Sequence, residues 1–112
     1  MRIILMRHGE TTNNILGMIS KQDYETKRTH EPEMSEVGNR SCTLMGQKLK
    51  ELGITISRVF CAAHKRAVIS ASLVRQGLGI DSLPIHLMIK AHEFQGVHKG
   101  SEIFPGLTKK EV

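Results

Sequence analysis

Tryptophan is absent from this sequence and aromatic residues make up only 4% of it, with one tyrosine and three phenylalanines. Nucleic-acid binders that stack bases interleave aromatics with basic residues, and here the basic residues are scattered along the chain without such interleaving. Only two cysteines occur, Cys42 and Cys61, too far apart in sequence for a CxxC pair. That spacing points to two reduced thiols rather than a metal site or a disulfide framework. There is also no HExxH pattern and no knot of carboxylates, so no metal is expected. No apolar run is long enough to cross a bilayer. The first such run is cut by Arg7, His8 and Glu10, which is unlike a secretory signal. These absences predict a cytoplasmic chain that binds neither membrane nor nucleic acid.

What is present is ordinary in amount. In 112 residues, 39% are hydrophobic and 24% charged, which fits a single small domain over residues 1–112. The formal net charge is +5, from 16 Lys and Arg against 11 Asp and Glu, a bias that favours anionic partners. The pattern alternates. Ile3–Met6 reads as a buried strand, and a helix opens near Thr11 or Thr12 and runs to Leu16. The polar stretch from Lys21 to Pro32 reads as a loop. A helix from Ser35 to about Gly53 carries an apolar stripe of Met45, Leu49 and Leu52. A strand from Arg58 to Ala62 leads to a helix over His64–Gln76, whose stripe is Ala67, Ala71 and Val74 and whose stop is Gly77 and Gly79. Pro84–Ile89 is a third strand. Thr108-Lys-Lys-Glu111 has the form of a capping box, so a further helix is expected to begin where the sequence stops, and the domain is read as truncated.

Strands alternating with helices predict an α/β fold of three layers, a mostly parallel sheet flanked by helices. Ligands of such sheets bind beyond the carboxyl ends of the strands. Arg7-His8-Gly9, then Lys65 and Arg66, then His92 and Glu93 each follow a predicted strand, so the three groups are expected on one rim. Phosphoryl transfer needs cover for three phosphate oxygens and a nucleophile in line with the leaving group. Arg7 and Arg66 offer planar, bidentate forks. Gly9 lets backbone approach an anion, and Asn14 with the amides near Gly9 and Glu10 adds neutral donors. A neutral His8 can attack phosphorus, provided its second nitrogen donates to a carbonyl or carboxylate. Glu93 can protonate the leaving alkoxide and later activate water. His64, His92 and His98 are read as packing or surface residues.

These stretches resemble the N-terminal portion of the histidine phosphatase superfamily, the phosphoglycerate mutase-like fold. "LMRHGETTNN" is similar to its opening strand and R-H-G-E-[ST]-x-x-N signature. "PEMSEVGNRSCTLMGQKL" is similar to its P-L-T-x-x-G helix start, "VFCAAHKRAVISA" to its V-Y-S-S-P-x-x-R-A-x-x-T-A segment, and "HEFQGVHKG" to its E-x-x-G block. The resemblance implies that His8 is the phosphorylated nucleophile, that Arg7 and Arg66 hold phosphate, and that Glu93 is the proton donor. It places Asn14, Glu10 and Thr11 along the pocket. Cys61-Ala62-Ala63 replaces the family's serine-serine-proline. The family's late H-G histidine has no counterpart after Gly100, so weak or no turnover is expected of this chain alone. Because Gly17–Pro32 lacks the arginine-rich stretch of the mutases, hydrolysis of a phosphomonoester, from a small molecule or a phosphoprotein, is the favoured reading, without a cofactor. A mutase using 2,3-bisphosphoglycerate and a non-catalytic phosphate-binding module of the same fold are the alternatives. A homo-oligomer is compatible with either.

Overall fold

The computed structural model describes residues 1–91, together with the backbone of two short strands over residues 97–99 and 102–104. The elements run α1 (Thr12–Ile19), α2 (Lys21–Lys27), α3 (Glu36–Glu51), β1 (Val59–Ala62), α4 (Lys65–Leu78), β2 (Ile85–Met88), β3 (Val97–Lys99) and β4 (Glu102–Phe104). β1 and β2 pair in parallel, with Val59 opposite Ile85 and Ala62 opposite Met88, and α4 is the crossover between them. This βαβ unit makes the chain α/β. β3 and β4 pair antiparallel, Val97 opposite Phe104. Sequence reading missed that hairpin because its strands are only three residues each.

α4 packs on β1 with one face and on α3 with another. The α3–α4 contact is built on small residues. A Cβ placed on Gly46 would lie 2.1 Å from the Val74 carbonyl oxygen and 2.9 Å from Gly77 Cα, so the two backbones touch there. Around this crossing lie the buried apolar residues Cys42, Leu49, Val74 and Leu78. The stripes therefore differ from those expected. On α3 the buried positions are Gly38, Cys42, Gly46 and Leu49, while Met45 and Leu52 are 44% and 63% exposed. On α4 they are Arg66, Ser70, Val74 and Leu78, one position before the expected stripe at its start, and Gly77 lies within the helix rather than ending it. Close approach of two helices rewards small side chains at the crossing, and a search for large apolar residues points to the wrong face. Gly79, at φ 73°, ends α4 in the left-handed conformation that glycine adopts without strain.

Two further expectations are corrected. Ile3–Met6 forms no strand, and Ile3 and Leu5 are 69% and 90% exposed. An apolar run becomes a buried strand only when a neighbouring strand takes up its backbone bonds, and among the described residues β1 and β2 pair only with each other. The sheet of described strands thus has two parallel members where three were expected. Within Lys21–Pro32, the first seven residues are helix α2 rather than loop. Ser20 Oγ accepts from the Asp23 amide at 3.0 Å, and Asp23 pairs with Lys27 at 3.0 Å one turn on. The Lys27 ammonium and Ser20 hydroxyl hold the Asp23 carboxyl below the ordinary carboxylate range. Capping and charge pairing support this helix without an apolar stripe, which is why periodicity did not reveal it. Thr108–Glu111 lies outside the described residues.

Candidate active site

The Arg7-His8-Gly9 segment is held against helices rather than at a strand end. The Gly9 amide donates to Ser70 Oγ at 3.0 Å, and Ser70 is buried on α4. A Cβ on Gly9 would meet Met34 Cε at 2.6 Å, the Gly38 carbonyl oxygen at 2.7 Å and Cys42 Sγ at 2.9 Å, so only glycine fits between this loop and α3. Ser70 lies four positions after Arg66 on α4, and residues at that spacing share a helix face one turn apart. The loop bearing His8 therefore crosses α4 one turn from Arg66. Arg66 is itself 6% exposed, whereas Arg7 is on the surface. Two of the guanidinium and imidazole groups expected at one rim are thus delivered by a loop–helix contact.

His8 is half-buried, and its Nδ1 lies 2.7 Å from the Gly9 carbonyl oxygen. A carbonyl oxygen only accepts, so Nδ1 carries the proton. In the neutral ring the lone pair then belongs to Nε2. That is the tautomer a nucleophilic imidazole requires.

The other residues expected along the pocket fasten helix ends. Glu10 Oε1 accepts from Ser35 Oγ at 2.7 Å, and Ser35 Oγ accepts from the Gly38 amide at 3.0 Å. Glu10 thereby supports the N-cap of α3, with its own carbonyl accepting from the Ser35 amide at 2.9 Å. Thr11, 1% exposed, and Asn14 form the capping box of α1: Asn14 Oδ1 accepts from both the amide and the hydroxyl of Thr11 at 2.9 Å. The Gly9 amide, read from the sequence as an anion donor, is engaged by Ser70. Glu93 and His92 lie outside the described residues.

Sequence reading missed Ser70 and Glu31. Glu31 Oε2 accepts from the Lys65 amide at 2.8 Å, and its Oε1 lies 3.1 Å from His64 Nδ1. His64 is 3% exposed, buried as a packing residue. Nothing in the local pattern distinguishes Glu31 from its neighbours in a polar stretch. The hydroxyl of Ser70 had a faint signal, since it recurs one turn after an arginine already suspected. Cys61, half-buried at the end of β1, has its thiol pushed up by burial. It should stay protonated at neutral pH and react sluggishly with iodoacetamide. Alkylation of Cys61 as fast as that of free cysteine would contradict this placement.

Among the described residues no cluster of three or more His, Cys, Asp or Glu is arranged to hold a metal ion, and no helix is long and apolar enough to cross a membrane. In solved structures the chain is similar to the ecdysone phosphate phosphatase, EPPase, from Bombix mori, crystallised in complex with tungstate. The two share 19% identity and superpose with a TM-score of 0.56 over 79% of this chain. The chain spans 30% of the length of that protein, and at this identity the likeness speaks for the fold: α/β and phosphoglycerate mutase-like. The sequence profile of the Histidine phosphatase superfamily (branch 1) matches residues 3–102. With residues 3–102 of its 112 matched, this chain belongs to the histidine phosphatase superfamily.

Proposed function

We propose that the chain carries out phosphoryl transfer through a phosphohistidine at His8, completed by hydrolysis of a phosphomonoester. The observation that carries this reading is the donation from His8 Nδ1 to the Gly9 carbonyl oxygen, which leaves Nε2 as the nucleophilic nitrogen. The Nε2 lone pair attacks phosphorus while the bond to the leaving oxygen breaks, and Arg7 and Arg66 neutralise the phosphate oxygens. The Glu93 carboxyl gives its proton to the leaving alkoxide. The resulting carboxylate then takes a proton from the water that attacks phosphorus, and the P–N bond breaks to restore His8 and release phosphate. No cofactor enters either step. Glu10, Thr11 and Asn14 serve by holding the loop and the start of α1, and the partner is a phosphorylated small molecule or phosphoprotein. A cytoplasmic setting suits a chain of this kind.

A trapping experiment tests the phosphohistidine step. Incubation with labelled p-nitrophenyl phosphate and denaturing quench should yield an acid-labile, base-stable phosphoprotein, absent from His8→Ala. Label that persists in His8→Ala, or its complete absence from the unaltered chain, would refute the assignment.

A further inference from the structure

The segment from Thr29 to Ser35 touches α1, the residues that follow His8 and Gly9, and the first turn of α4. At its start, Asn13 Nδ2 donates to the Thr29 carbonyl at 2.6 Å and the Thr29 amide donates to Asn13 Oδ1 at 3.0 Å, fixing it to α1. At its end, the Thr12 amide donates to the Glu33 carbonyl at 2.9 Å, Met34 forms an antiparallel bridge with Thr11, and the Ser35 amide donates to the Glu10 carbonyl at 2.9 Å. This end is thus locked to the residues that directly follow His8 and Gly9.

Between these anchors the segment grips the first turn of α4 with two carboxylates. Glu33 pairs with Lys65 Nζ. Glu31, with its side chain 17% exposed, spans the Lys65 amide and His64 Nδ1. His64 is the N-cap of α4 yet supplies no side-chain cap bond, so the capping acceptor comes from Glu31. A carboxylate at this end is favoured both as acceptor for an otherwise unsatisfied amide and by the helix dipole. One residue further along the helix is Arg66.

We infer that Glu31 is a positioning residue for the phosphate site: by capping α4 it fixes the Arg66 guanidinium relative to the His8 loop. This inference rests on the proposed phosphate-handling role of Arg66. Among the described residues, the loop is joined to α4 in one place through Gly9 and Ser70 and in another through Thr11–Met34 and Glu31. The first sets the loop against the second turn of α4, and the second sets the first turn, where Arg66 sits. With Glu31 holding the Lys65 amide, that amide is not offered to a ligand. The Arg66 guanidinium is then the charged group of this turn that meets phosphate, and its aim depends on the cap.

A double-mutant cycle on the full chain, with inorganic phosphate as the probe and folding checked by circular dichroism, tests this. Glu31→Ala should weaken phosphate binding about tenfold, the loss expected from a misplaced charged fork. Glu31→Gln, which keeps an acceptor for the Lys65 amide, should recover most of the affinity. Glu33→Ala, which breaks only an exposed pair, should change it less than about twofold. In an Arg66→Ala background, Glu31→Ala should cause no further loss. If Glu31→Ala fails to fold, Glu31→Asp, too short to reach both donors, takes its place with a smaller loss in the same direction. Unchanged affinity in the folded variant, or an equal loss with and without Arg66, would overturn the positioning role while leaving the phosphate site intact. Absence of phosphate binding by the unaltered chain would overturn the site, and this role with it.

Discussion

Arg66→Ala should reduce affinity for inorganic phosphate by about 100-fold. Arg66 is 6% exposed on the first turn of α4, one turn from the hydroxyl that anchors the His8 loop. A guanidinium fork makes two parallel charge-assisted bonds to an anion, each worth about 1.5–3 kcal/mol. Loss of the pair, partly offset by water, comes to about 3 kcal/mol, which is two decades in affinity. Arg66→Lys keeps the charge but not the fork, so an intermediate loss of about tenfold is expected. Calorimetric titration of phosphate into the three proteins reads this directly. Equal affinity in all three would mean that the anion is held elsewhere.

The second large effect concerns stability. Gly46→Ala should destabilise the fold by about 3 kcal/mol, the upper part of the usual range for overpacking. The added methyl would stand 2.1 Å from the Val74 carbonyl oxygen and 2.9 Å from Gly77 Cα, both backbone atoms that cannot swing aside. The helices must separate, opening the contacts among Cys42, Leu49, Val74 and Leu78. Gly17→Ala is the matched control. It lies inside α1, and its new methyl would meet only Tyr24 Cδ2 at 3.7 Å, an ordinary contact. There the gain in helix propensity prevails, and the chain should become more stable by about 0.5–1 kcal/mol. Urea denaturation of both variants gives the comparison, in which opposite signs are expected and equal stabilities would contradict the α3–α4 crossing. Because α3 also carries Ser35 and Gly38, which seat Glu10, separation in Gly46→Ala should weaken phosphate binding as well.

How far these features could be read in advance depended on whether their cause was local. Thr11 as a cap, Ser35 as the start of α3 and Gly79 at the end of α4 are set by residues within one turn, and the sequence announced them. The β1–α4–β2 unit was legible because short apolar runs and a helical stretch alternate between Arg58 and Ile89. The buried faces of α3 and α4 were not, since their contact selects Gly46, Gly77 and Ser70 by size, and size matters only once the partner helix is known. Ile3–Met6 shows the converse: a strongly apolar run does not form a strand without a neighbour to take its hydrogen bonds. At the candidate site, Arg7, His8 and Arg66 were singled out by their residue types and surroundings. Their support was not, because Ser70 and Glu31 act across separations of 61 and 34 residues, to Gly9 and Lys65 respectively. Glu10 and Asn14 illustrate a further limit of pattern: both stand in the recognised motif, and the structure uses both to fasten helix ends.

The proposed chemistry requires one tetrahedral oxyanion between the His8 loop and the first turn of α4. A crystal structure of the chain grown with tungstate measures it most directly. Tungstate is expected against His8 Nε2, with guanidinium nitrogens of Arg7 and Arg66 on its oxygens and the His8 Nδ1 bond to Gly9 retained. Tungstate found only on surface lysines, with His8 Nε2 turned away and Arg66 making no contact to it, would rule out phosphoryl transfer at His8.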